Sequence, residues 1–151
     1  MDNSHRRLIN DLNHLITICN DGKHGYKTAA SDADSSALRA MFSEYSAERE
    51  VFSEQLNEEI RKAGGNPEHD GGPLGAFHRA WIDVKAALSS KDNKAVLGAC
   101  ITGENAAVNA YNNVLENNEL PADTRAILNK QRRIIEEALD RVEGLHETIE
   151  S

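Results

Sequence analysis

Apolar residues along the chain recur at spacings of three and four, the period of a helix buried on one face. From about Ser4 to Ala30, the residues Leu8, Leu12, Leu15, Cys19, Gly22, Tyr26 and Ala29 follow at intervals of 4, 3, 4, 3, 4 and 3. Ile9, Ile16 and Ile18 widen that seam. The run Ser31-Asp32-Ala33-Asp34-Ser35 interrupts it and offers N-cap side chains for a second helix. This second helix reaches about Ala63. Its inward face is Leu38, Met41, Phe42, Tyr45, Phe52, Leu56 and Ile60, and Glu48 and Arg49 interrupt that face at mid-length. Gly64-Gly65-Asn66-Pro67 is a stop signal.

The stretch from Glu68 to Gly75 holds three glycines and Pro73 and reads as a loop. A short helix from about Leu74 to Leu88 follows, with Phe77, Trp81, Val84 and Leu88 on its apolar face. A fourth helix spans about Asp92 to Asn117. Its seam of Val96, Cys100, Gly103, Ala107, Ala110, Tyr111 and Val114 is rich in small residues, so a neighbour can approach closely. Pro121 falls near the first position of the last helix. There Leu128, Gln131, Ile135, Ala138, Val142, Leu145 and Ile149 repeat at 3, 4, 3, 4, 3 and 4. No alternating strand pattern competes. Short turns make antiparallel hairpins of the first two and the last two helices, which leaves Gly64 to Asn93 as a long crossover. The expectation is one all-α domain over residues 1–151: a ferritin-like four-helix bundle with a short crossover helix between the second and third long helices.

Composition narrows the function. A chain of 151 residues fits a single core. The net charge of −8 argues against nucleic acid as a partner, because phosphate binding needs a basic face. The longest stretch free of Asp, Glu, Lys and Arg is the 11 residues Asn105–Leu115, whereas a membrane span needs about 20 apolar residues. The opening residues Met1 to Arg7 have no apolar run behind them, so a secretory signal is not expected and a cytoplasmic location is. Cys19 and Cys100 lack a CxxC spacing and fall on apolar seams; they read as reduced, buried small hydrophobes.

Several short segments, taken in order, carry a resemblance. They are Asp21-Gly22-Lys23-His24-Gly25-Tyr26, Glu48-Arg49, Gly64-Gly65-Asn66-Pro67 and Leu74-Gly75-Ala76-Phe77-His78-Arg79-Ala80-Trp81. Gly103-Glu104, Leu120-Pro121 and Gln131 extend the series. With these, the chain resembles a bacterial group of uncharacterised ferritin-like proteins, a domain of unknown function. The resemblance implies the ferritin-like fold and brings no established activity. It also implies an acid where His24 stands and a histidine where Leu139 stands, and both positions differ here.

A ferritin-like bundle raises the question of a carboxylate di-metal centre. That chemistry uses one Glu from each of two helices and a Glu-x-x-His from each of the others, with i, i+3 spacing placing both ligands on one face. Glu48 and Glu104 are the inward-facing acids that could meet near mid-length, and His24 is a third candidate ligand for a di-iron or di-manganese site. The expected histidine spacings are missing, since Val51 follows Glu48 and Leu139 follows Glu136 at that interval. Glu143-Gly144-Leu145-His146 has the spacing, but Leu145 holds the seam, so Glu143 points away from it. Against the metal stands a buried polar layer, with Glu48 paired to a nearby Arg or bonded to Gln131. His78 reads as packed at an apolar edge, His69 as exposed, and a two-His site from them as a minor alternative.

The acidic pairs Glu58-Glu59 and Glu136-Glu137 read as solvated faces. No nucleophile elbow and no phosphate-binding glycine motif occurs. The leading expectation is a non-catalytic helical protein without a cofactor, acting as a small homo-oligomer or through a protein partner, with Phe77 and Trp81 contributing. The alternative is a di-iron or di-manganese protein with oxidase or iron-handling chemistry.

Overall fold

A computed structural model describes residues 3–67 and 76–149. Among them the chain forms five helices and no strand: α1 Asn3–Asp32, α2 Ser36–Lys62, α3 Ala76–Ser89, α4 Asn93–Leu115 and α5 Ala122–Thr148. The all-α reading holds. The expected loop from Glu68 to Gly75, with His69, lies outside the described residues.

Local chemistry sets the helix ends. The Ser35 side chain caps α2 by accepting from the backbone N–H of Leu38 at 3.3 Å, which selects one residue from the five-residue break. At the other end Gly64 adopts φ +83. The N–H of Gly64 bonds the Arg61 carbonyl and that of Gly65 the Ile60 carbonyl, each at 3.0 Å, the paired closure that a left-handed residue permits. The end of α3 repeats this geometry with a non-glycine. Lys91 sits at φ 56, and the N–H groups of Lys91 and Asp92 bond the carbonyls of Leu88 and Ala87. The Asp92 side chain then caps α4 through Ala95 N–H at 3.0 Å. Pro121 lies at the N-cap of α5, one place ahead of the helix.

In packing, α1 lies along α2 and α4 along α5, while α3 rests on α4 and α1. The hairpins meet where α1 faces α4 and α2 faces α5. Among the described residues the backbones of α2 and α4, and those of α1 and α5, do not approach each other, so those pairs lie on the diagonals.

The apolar core divides into two clusters. One contains Leu12, Leu15, Ile16, Cys19, Phe52, Leu56, Ala107, Tyr111, Leu128 and Ile135. The other contains Tyr26, Ala29, Phe42, Tyr45, Leu97, Cys100, Ala138 and Val142. The division falls between Cys19 and Tyr26 on α1, Tyr45 and Phe52 on α2, Cys100 and Ala107 on α4, and Ile135 and Ala138 on α5. It is thus one level through all four long helices. Trp81 of α3 packs against both clusters.

Trp81 reaches that level because Gly25 makes room: a Cβ there would overlap the indole ring, whereas one at Gly103 would be in ordinary contact, 3.9 Å from its Cε2. A helical Gly→Ala change ordinarily stabilises by about 0.5–1 kcal/mol. Nothing lies within 4 Å of a Cβ added at Gly144, so Gly144→Ala should show that gain in urea unfolding. Gly25→Ala should instead lower the unfolding free energy, by about 1–3 kcal/mol. The same sign for both variants would mean that Trp81 is not seated on α1.

Candidate functional site

At the dividing level Arg49 of α2 reaches across the diagonal to Glu104 of α4. Its Nη2 donates to Glu104 Oε2. Arg49 is 2% exposed and Glu104 0%. Arg49 occupies a seam position, four residues after Tyr45 and three before Phe52, and Glu104 stands four after Cys100. Helical spacing alone therefore turns both side chains inward. The guanidinium also lies over the Tyr26 ring, 5.5 Å from its centroid, a cation–π placement. Tyr26 in turn meets Trp81 edge-on at 4.8 Å, Tyr45 at 5.3 Å and Phe42 at 5.7 Å.

These neighbours set the protonation states. Burial works against the Arg49 charge, but Glu104 more than offsets this and holds the guanidinium above its ordinary pKa. Burial, then the Glu104 carboxylate and Cys100, push the Tyr26 phenol well up, so it stays a neutral O–H. Burial also raises the thiols: Cys19 to about 11, and Cys100 further. Both cysteines are free and buried, and thiols so placed react slowly because the thiolate is the nucleophile.

A second polar chain runs beside the pair. Cys19 Sγ of α1 lies 3.3 Å from the Tyr111 hydroxyl of α4. That hydroxyl donates to Gln131 Oε1 of α5 at 2.7 Å. Gln131 Nε2 donates onward to Gln55 Oε1 at 2.9 Å and to the Phe52 carbonyl at 3.4 Å, both on α2. All four long helices are joined by this chain.

The three proposed ligands do not come together. Glu104 is engaged by Arg49. Glu48 is half-buried, within electrostatic reach of Glu44, Glu104 and Glu137. His24 is exposed on α1, on the rim of a groove of ≈ 220 Å³ between α1 and α3. Asp21 and His78 share that rim, and Trp81, Val84 and Leu88 form its apolar wall. Among the described residues no group of three or more His, Cys, Asp or Glu side chains is placed to hold a metal ion. His146 is half-buried and Glu143 exposed, so that Glu-x-x-His does not face the dividing level.

The buried acid–arginine pair is Arg49–Glu104, where sequence reasoning centred on Glu48. Gln131 bonds Tyr111 and Gln55, where sequence reasoning offered it to Glu48. Glu59 also departs from expectation. It is buried, accepting from Thr124 Oγ1 at 2.9 Å and Lys62 Nζ at 3.2 Å, so it ties the end of α2 to the start of α5. Its neighbour Glu58 is exposed, as are Glu136 and Glu137. No helix among the described residues is long and apolar enough to cross a membrane.

The chain belongs to a family defined as a domain of unknown function (DUF2383), whose model matches residues 7–117. That span holds Tyr26, Arg49, Trp81 and Glu104 and ends before Gln131. No curated protein matches the chain.

Burial raises the Glu48 carboxyl above its ordinary value, Arg49 opposes this, and Glu44, Glu104 and Glu137 add to it. The folded chain therefore holds the Glu48 proton more tightly than the unfolded chain. The resulting stability is full below the ordinary carboxylate pKa and is lost as pH rises through the raised value. Glu48→Gln, which cannot ionise, should be more stable than the parent at about pH 7, and the gap should close at about pH 4. Urea unfolding at both pH values checks this; a less stable Glu48→Gln at neutral pH would contradict the assignment.

Proposed function

We propose that this chain is a ferritin-like four-helix bundle that has no catalytic centre and acts by self-association, with the outer side of α3 as the contact face. The diagonal placement of α2 against α4 and of α1 against α5, and the position of α3 in the crossover, support that fold. At the level where such bundles hold metal, Arg49 supplies the positive charge that a cation would otherwise bring to Glu104. The residues at this level therefore do not suit a di-metal group, and the chemistry of the core is structural.

One observation carries the association reading: Ile82 is 54% exposed. It lies four residues beyond His78 and three before Lys85, so helix geometry puts it beside that groove rim. The groove's apolar wall of Trp81, Val84 and Leu88 continues the surface inward. Large aliphatic side chains this exposed beside an apolar groove suit a contact between chains. Val51, 49% exposed on α2, is on a helix whose backbone does not approach that of α3 and serves as the comparison.

Sedimentation velocity over micromolar to near-millimolar concentration tests the reading. The parent should form a small oligomer. Ile82→Glu should weaken it at least about tenfold, and Val51→Glu should leave it unchanged. A parent monomeric throughout, or an unaffected Ile82→Glu, would contradict it. A di-iron or di-manganese centre on Glu48, Glu104 and His24 is the alternative, and it requires Arg49 to release Glu104. Incubation with Fe(II) or Mn(II) followed by desalting separates the two: metal retained by the parent and lost from Glu48→Ala/Glu104→Ala would favour the metal reading.

A further inference from the structure

Two histidines stand on the rim of the α1–α3 groove, His24 from α1 and His78 from α3. Both are exposed, and the half-buried Asp21 shares the rim with them. His24 follows Asp21 by three residues, so the two project from one face of α1. Both imidazoles are within electrostatic reach of the Asp21 carboxyl: burial raises it above its ordinary value, and His78 and then His24 act against that rise.

The other charges around these histidines nearly cancel. Lys85 of α3 lines the same groove. Arg79 and Asp83 of α3 are exposed, three residues before Ile82 and one after it. Glu104 is the acid of α4 beneath α3 at this level, and Arg49 neutralises it. On the side of α1 that faces α2, His24 borders Lys23, Lys27, Glu50 and Glu54, again two bases and two acids. With both histidines neutral, Arg79 and Lys85 balance Asp21 and Asp83. With both protonated, the face carries two positive charges in excess. Histidine makes that change between about pH 5 and 8. Protonation of Asp21 removes a negative charge and acts in the same direction.

The balance matters because of how two copies would meet. Ile82 lies beside the apolar wall of Trp81, Val84 and Leu88, so one two-fold axis turns each chain's Ile82 toward the other's groove. A two-fold contact sets a patch against its own copy, and an excess of charge on the patch then repels itself across the surface that must lose water. We propose, on the reading that this chain self-associates through the outer side of α3, that His24 and His78 make the contact pH-sensitive. The face is self-complementary when both imidazoles are neutral and self-repelling when both are charged.

Sedimentation velocity of the full chain at about pH 8 and about pH 5.5, with a chelator present so that no metal bridges the histidines, tests this. The parent should associate at the higher pH and at least about tenfold more weakly at the lower one. His24→Gln/His78→Gln, which cannot take up the protons, should show one affinity at both. In about 1 M salt, where charges are screened beyond about 3 Å, the pH dependence of the parent should shrink. A parent that associates equally at both pH values would overturn the proposal and leave self-association standing. A double variant that still weakens tenfold at the lower pH would also overturn it, because the titrating group would lie elsewhere. A parent monomeric at both pH values would overturn self-association itself, and this proposal with it.

Discussion

The buried ion pair between Arg49 and Glu104 is the constraint around which the rest of this structure is arranged. It joins two helices on a diagonal that have no backbone approach of their own. Burying such a pair is costly in desolvation, and a well-packed apolar pair is often as stable. Once both charges are buried, however, removing one leaves the other uncompensated at a cost of about 3–5 kcal/mol. The pair therefore contributes less to net stability than to the choice of one arrangement. A slip of either helix by one turn would carry its charge into an apolar cluster. The Cys19–Tyr111–Gln131–Gln55 chain adds the same kind of restriction on α1, α4, α5 and α2.

The aromatic and glycine positions follow from that pair. Tyr26 covers the guanidinium, Trp81 covers Tyr26, and Gly25 gives the indole its seat. The segments that carry the sequence resemblance, distant along the chain, meet here: Gly22 to Tyr26, Arg49, Trp81 and Gly103-Glu104. The crossover helix is thereby a component of the core as well as a cover for it. Its inner side closes the charged level, and its outer side presents Ile82 and the groove. Association through that outer side would leave the charged level undisturbed.

Most of the fold was legible in the sequence because seam spacing is a direct consequence of helix geometry. The seven-residue α1 seam from Leu8 to Ala29 is buried throughout, and so is the α5 seam apart from Leu145 and Ile149 near its end, while Asn13, Thr17, Thr124 and Leu139 are buried beside them. The glycine and capping signals placed the helix ends within a few residues. The site was legible in part. Glu104 and Gln131 stood on or beside seams and are buried. Arg49 was visible as an interruption of the α2 face, yet its position four after Tyr45 and three before Phe52 already completes that seam. Charge is a poor sign of exposure at this point of α2, because Arg49 is buried while the adjacent Glu48 is only half-buried. Glu59 was missed for the same reason, since its partner Thr124 lies far along the chain and no local spacing announces it.

The central claim is that Arg49 and Glu104 act as one unit. A double-mutant cycle measured by urea unfolding tests it, using Arg49→Met, Glu104→Leu and the two together. Each single change should lose about 3–5 kcal/mol, and the double variant should lose far less than the sum, because it leaves no unpaired charge. Losses that simply add would contradict the claim, because they would mean that neither side chain depends on the other.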